Sequence, residues 1–562
     1  MKPIQTLFLV FILILSACRT SPEFSYDIEK TAISDKAMVV SAHPEATRVG
    51  VEILEKGGNA IDASIGVQLA LAVVYQNAGN IGGGGFMVYR DKDGKVKTLD
   101  YREKAPKAAT RDMYLDSLGE ATDKSRNGHL AVGVPGTVAG LFAAHKNGKL
   151  PFKDLIQPAI DLAENGFYLT KKQASSLNSK REDFVKYNTT PPVFVKEGEW
   201  KKGDRLVQKA LAETLKRIRD NGQAGFYEGK TADLLVAEMQ AGGGIITKDD
   251  LKSYEAKWRE PISFTYKGYE IHSMPPPSSG GIALAQLLGS IEPYPIAEWG
   301  FQSPATTHLM IEAERRTYAD RATHLGDMDF YKVPITQITN KEYLKNRMAD
   351  FDPNKASLSK ETEAGQVKES EETTHLSVVD GEGNAVSVTT TLNTSYGSKV
   401  IVSGGGFVLN NEMDDFSAKP GTPNFFGLVG AEANAIQPEK RMLSSMTPTI
   451  VEKDGRLFMV VGTPGGSTII TSVFQTFVNV VDFGMSMSEA VQAKRFHHQW
   501  LPNKVFYEAN TFPDSVLTAL TQKGQIMEER GSIGRVDAIL VTEDGKLEGG
   551  ADTRGDDHAA GL

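Results

Sequence analysis

The stretch Glu369–Asn393, ESEETTHLSVVDGEGNAVSVTTTLN, changes character within one residue. A charged, glycine-free run ends at Glu372. From Thr373 and Thr374 onward apolar residues alternate with polar ones, pause at Gly381-Glu382-Gly383-Asn384, and alternate again toward Asn393. Period-two alternation on both sides of a glycine-containing turn predicts an antiparallel hairpin. With Asp380 and Ala385 closing the turn, Thr373 faces Leu392, and Thr391 and Asn393 lie within one residue of that register. Two hydroxyls and an amide gather at one strand end, although threonine's preference for strands would also place them there.

Upstream, residues 351–372 (FDPNKASLSKETEAGQVKESEE) hold only three large apolar side chains. Burying so few cannot offset the entropy of ordering, which predicts a mobile loop. Downstream, a strand over 456–461 ends at Gly462, and Thr463-Pro464-Gly465-Gly466 leads to Ser467, an expected N-cap for a helix to about Val481. Backbone N–H groups at such a start can hold a developing oxyanion, and a tight strand-to-helix turn would use the same residues. Nearer the N-terminus, Pro44-Glu45 opens a helix that Gly57-Gly58 stops, and a more apolar helix covers Ala60–Val74. Gly82 to Gly85 then precede a strand beginning at Phe86, and Asp91–Gly94 turns into a second strand reaching Arg102. Residues 110–350 read as largely helical. Hairpins alternating with helices predict an α+β fold, sheets covered by helices.

The chain has 562 residues, 40% of them apolar and 24% charged, enough for several layers around a large core. A net charge of -9 argues against nucleic acid and anionic membrane surfaces and favours small polar partners. Lys2 followed by the apolar run Leu7–Leu15 predicts a cleavable export signal, too short to span a bilayer that needs about 20 residues. It ends in Leu15-Ser16-Ala17-Cys18, similar to the bacterial lipobox, which implies cleavage before Cys18 and lipid attachment to it; an ordinary signal with an incidental cysteine is the alternative. Residues 18–35 are then a tether. Cys18 is the only cysteine, so the mature chain has no disulfide, thiolate metal site or cysteine nucleophile.

Several motifs fail on inspection. The glycine runs at 82–85 and 404–406 fit neither nucleotide-binding pattern, no G-x-S-x-G occurs, and His497-His498 lacks metal-site spacing and reads as structural. No cofactor and no metal is expected.

GGNAIDASIGVQLAL, GNIGGGGFMVYR, DYREKAP, AVGVPGTVAGL, MPPPSSGGIAL, TTHLSVVD, TTLNTSYGS, LNNEMDDFSAKPG, KRMLSSMTPTI, GTPGGS and RFHHQWLP follow one another from about Pro44 to the C-terminus. In that order they resemble the γ-glutamyltransferases (glutathione hydrolases) of the N-terminal nucleophile hydrolase superfamily. The resemblance implies a four-layer αββα sandwich of two stacked, mainly antiparallel sheets. It implies self-cleavage between Glu372 and Thr373, with 351–372 as processing loop, giving a large subunit 36–372 and a small catalytic subunit 373–562 that stay associated without a covalent link.

By the same resemblance Thr373 is the nucleophile, Thr391 hydrogen-bonds its hydroxyl, and Gly465 and Gly466 form the oxyanion hole. Arg102, Ser444 and Ser445 take the α-carboxylate of a donor such as glutathione; Asn393, Glu412 and Asp415 take its α-ammonium. Water or an amino acid or peptide accepts the γ-glutamyl group. Family members with a lid loop commonly carry a tyrosine where PNFFGLVG has Phe426, so the latch from that hydroxyl to Asn393 is absent. A related acylase and an uncleaved lipoprotein acting as a binding module are the rival expectations.

Overall fold

A computed structural model describes residues 24–359 and 373–562, apart from 420, 423 and 426. Two seven-stranded sheets form its centre. One runs His558–Gly561, Met38–Ser41, Thr373–Val379, Ala385–Thr391, Gly84–Arg90, Val96–Asp100, Lys257–Arg259. The other runs Thr31–Ser34, Leu547–Ala551, Asp537–Val541, Arg456–Gly462, Thr449–Lys453, Tyr269–Ser273, Ile262–Tyr266. Neighbours within both are antiparallel.

Side-chain alternation stacks the layers. Leu376, Val378, Val386 and Val388 of the hairpin pack with the helices Pro44–Glu55 and Ala60–Val74. The intervening Val379 and Ala385 meet Ile450, Val460 and Ile539 of the opposite sheet. That sheet's other face, with Ile271, Val451, Met459 and Val461, is covered by the helices Gly280–Ile291 and Thr468–Val481. Three cores in succession make the expected αββα sandwich. Because both faces of the hairpin are buried, a slip of one residue would exchange valines for hydroxyls on each face, which fixes the register.

That register differs by one from expectation: Thr373 pairs with Thr391, not Leu392. The last pair before the turn is Val379 with Ala385, because Asp380 belongs to the turn, where its Oδ1 accepts the N–H groups of Glu382 and Asn384. The expected tether is also shortened. Thr31–Ser34 pairs with Leu547–Ala551 as an edge strand, and Phe24 stacks on Tyr168 with ring centres 4.3 Å apart.

The first nine residues of the expected mobile loop are held too. Ala356 N–H donates to Lys523 O at 2.6 Å, Arg315 Nη1 to Ser359 Oγ at 2.7 Å, and Phe351 packs against the helical core. Residues 360–372 lie outside the described part. In the mainly helical middle, the segment 257–273 forms three strands that extend both sheets. Ser467 occupies the N-cap position of Thr468–Val481 without capping it; its hydroxyl donates to Gln499 Oε1. Among the described residues no helix is long and apolar enough to cross a membrane.

Candidate active site

The odd-numbered positions of Thr373–Val379 face the gap between the sheets. Near the turn that gap is apolar; toward Thr373 it fills with hydrogen bonds. Ser377 Oγ donates to Asp537 O at 3.0 Å, Ser387 Oγ donates to Val461 O at 3.1 Å, and His375 sits between Thr389 and Ser377. Burial pushes the His375 imidazole down to about 3, so it serves as a neutral spacer and not as a base. Thr373 and Thr391 end the series as a direct cross-strand pair, with Cβ atoms about 4.5–5.5 Å apart in such pairs. Asn80 Nδ2 holds Thr391 O at 2.8 Å. Gly83 lies so close that a Cβ would stand 2.2 Å from the same oxygen, which is what the glycine run is for.

Beyond the strand ends is a cavity lined, among the described residues, by Arg102, Arg321, Thr373, Thr391, Asn393, Glu412, Asp415, Leu428, Ser444, Ser445, Met446, Gly466 and Ile469. Nine of the ten candidate residues named from the sequence as catalytic or substrate-binding thus share one wall. Gly465 is set behind Gly466, with φ at +140°, a conformation only glycine adopts readily. The cavity is narrow, with about 20 Å³ open to the centre of a water-sized molecule.

Charge is concentrated at one end. Arg102 is buried, with Nη1 2.6 Å from Glu412 Oε2, Nη2 2.5 Å from Asp415 Oδ2 and Nε donating to Met442 O at 3.3 Å. Glu103, the neighbour that reads in the sequence as half of a surface ion pair, is buried 3.7 Å from the same guanidinium. Burial raises all three carboxyls above their ordinary range, and Arg102 opposes the shift. Three buried acids thus share Arg102, while Arg321 brings a second guanidinium to the same cavity.

Asn424, Phe425 and Leu428 of the segment 417–430 lie against this end. Asn424 Nδ2 donates to Asp415 Oδ1 at 3.2 Å, Phe425 N–H donates to Asp414 Oδ2 at 2.9 Å, and the Arg126 guanidinium lies 6.0 Å from the Phe425 ring centre. The expectation about Phe426 lies outside the described residues, but its neighbours fasten the segment by side-chain and backbone contacts. Asn424→Ala removes two side-chain hydrogen bonds, the one donated to Asp415 Oδ1 and the one accepted from Leu428 N–H, each worth about 1 kcal/mol, so chymotryptic cutting after Phe425 is expected to quicken about 30-fold. An unchanged rate would show that Asn424 does not hold the segment down.

Ser444 bridges to Ser278, Asn393 Nδ2 donates to Asn411 O at 3.0 Å, and Thr391 Oγ accepts Asn393 N–H at 2.7 Å. Sequence reasoning missed Glu103 and Arg321 as members of the site. Arg321 lies in the helix Pro304–His324, whose ERRTYADR run resembles a solvated face yet is almost wholly buried. A helix that charged and without an apolar stripe was the available signal.

Two stacked antiparallel sheets between helical layers, with a threonine heading an inner strand at the mouth of a polar cavity, define the fold class of the N-terminal nucleophile hydrolases. The family profile described as Gamma-glutamyltranspeptidase matches residues 46–562, and the chain belongs to that family. It is 47% identical over 558 residues to the glutathione hydrolase proenzyme of Escherichia coli (strain K12), covering 97% of this chain and 96% of that one. Cephalosporin acylase from Bacillus halodurans superposes with a TM-score of 0.84 at 26% identity, covering 98% of this chain and 99% of that one. A chain of Helicobacter pylori γ-glutamyltranspeptidase gives 0.55 at 46% identity, covering 56% and 92% respectively.

Proposed function

We propose that the protein is a self-processed γ-glutamyltransferase and glutathione hydrolase. Thr373 Oγ attacks the carbonyl carbon of Glu372, the C–N bond breaks as the acyl group moves to oxygen and the nitrogen takes up a proton as the Thr373 amine, and water then hydrolyses the ester to the Glu372 carboxylate and the Thr373 hydroxyl. With a pKa of about 7.7–8.0 that amine is partly neutral at pH 7 and takes the hydroxyl proton when Thr373 attacks a donor's γ-carbonyl. Gly465 and Gly466 N–H groups hold the oxyanion and Thr391 orients the nucleophile. The leaving amine departs with a proton, and the γ-glutamyl ester passes to water or to an amino acid or peptide amine. Arg102, Ser444 and Ser445 receive the α-carboxylate; Asn393, Glu412 and Asp415 receive the α-ammonium. The observation that carries this reading is the Thr373–Thr391 pair opening onto a cavity in which Arg102 faces two carboxylates.

Processing yields subunits 36–372, still joined to the tether 18–35, and 373–562 as a non-covalent pair. Each sheet mixes strands from both sides of residue 372, which supports their staying together. The signal-like N-terminus supports export and anchoring through lipid on Cys18, on the periplasmic or cell-surface side of a bacterial membrane. N-terminal sequencing of the smaller fragment is expected to read Thr-Thr-His-Leu; any other start overturns the mechanism.

The likeness to a cephalosporin acylase favours a second reading, an acylase for side chains without an ammonium group. The buried carboxylates weigh against it. Glutaryl-p-nitroanilide lacks the ammonium, and its turnover at the rate of γ-glutamyl-p-nitroanilide would favour the acylase.

A further inference from the structure

Arg321 reaches the cavity from the helix Pro304–His324, 5% exposed, and has no ion-pair partner among the described residues. One edge of its guanidinium is used in full: Nε donates to Ser279 Oγ and Nη2 to Ser445 Oγ, both at 3.0 Å. A guanidinium only donates, so each serine oxygen it touches accepts, and each serine's own proton points elsewhere. For Ser279 the direction is visible, since its hydroxyl donates to Ser444 O at 2.7 Å. Ser445 Oγ accepts from Arg321 in the same way while its residue lines the cavity. Ser444 Oγ accepts Met446 N–H at 3.1 Å, which likewise leaves its proton to donate. Two hydroxyl donors beside a buried cation form a place for an anion.

We propose that Arg321 is a positioning residue: through Ser279, which holds Ser444 O, and through Ser445 Oγ it sets Ser444 and Ser445 as paired donors toward the α-carboxylate already assigned to them. This rests on the reading of the cavity as a γ-glutamyl site. A lysine cannot span both hydroxyls with one planar edge, so it replaces only the charge.

The test compares γ-glutamyl-p-nitroanilide with 4-aminobutanoyl-p-nitroanilide, the same donor without its α-carboxylate, on processed enzyme. The unaltered protein is expected to prefer the carboxylated donor strongly. Arg321→Met is expected to shrink that preference by about 30-fold, the order set by one charge-assisted contact, mainly through KM for the carboxylated donor. Arg321→Lys should restore part of it, and it serves alone if the Met variant fails to fold or self-cleave. Equal losses on both donors, with the preference ratio unchanged, would make Arg321 merely structural and overturn the proposal while leaving the γ-glutamyl reading intact. An unaltered protein that prefers neither donor would end both.

Discussion

Thr373→Ala is expected to run as one band on a denaturing gel and to lose turnover of γ-glutamyl-p-nitroanilide by a factor of about 10⁴ or more. Both outcomes follow from one missing oxygen. Without Oγ no atom at this position can attack the preceding carbonyl, so no terminal amine forms and no acyl-enzyme can follow. The fold should survive, because Thr373 sits at a strand end and the neighbouring pairs from Thr374–Thr390 to Val379–Ala385 are untouched. Thr373→Ser keeps the oxygen and should keep both cutting and turnover, at reduced rates. Turnover by an uncut Thr373→Ala protein would be incompatible with the mechanism.

Arg102→Lys is expected to raise the KM for γ-glutamyl-p-nitroanilide about 100-fold, two contacts at about 1.4 kcal/mol each, with a smaller effect on kcat. The present guanidinium reaches Glu412 and Asp415 through two separate nitrogens. A lysine ammonium can approach only one of them closely and presents no fork to a carboxylate. Arg102→Met goes further, since buried acids left without their cation cost about 3–5 kcal/mol. That variant should also lower the unfolding midpoint, whereas the lysine variant separates binding from stability. An unchanged KM in Arg102→Lys would remove this residue from donor recognition.

Much of the sandwich was legible because its inner strands and first helices carry simple periodic signals. The hairpin 373–391, the helix Ala60–Val74 and the strand-to-helix turn at 462–468 all have local patterns that agree with their tertiary surroundings. Of the strands missed within 257–273, Lys257–Arg259 is too short to show a period and Tyr269–Ser273 carries an alternation that lapses at His272-Ser273, whereas Ile262–Tyr266 alternates throughout and its signal was passed over. The one-residue error in register came from Asp380, whose carboxylate builds the turn in a way that periodicity cannot show.

In the cavity, single residues were legible from motif resemblance, but their electrostatic grouping was not. Glu103 reads as a neighbour of Arg102 on the surface until the fold encloses both. Arg321 lies 219 positions beyond Arg102 in sequence, and no local pattern links them. The sequence also could not reveal that 351–359 is fastened, because its partners Arg315, Lys523 and Glu312 come from remote elements.

The mixing of early and late strands within each sheet has a bearing on the order of events in the proposed maturation. Met38–Ser41 lies between His558–Gly561 and Thr373–Val379, so neither half of the chain can complete a sheet by itself, and each made alone would present rows of unsatisfied amides prone to aggregation. Assembly of both sheets from the continuous chain, ahead of the cleavage proposed at 372/373, would keep those edges covered. Attempts to reconstitute the enzyme from two separately produced pieces would start from the wrong side of that sequence of steps.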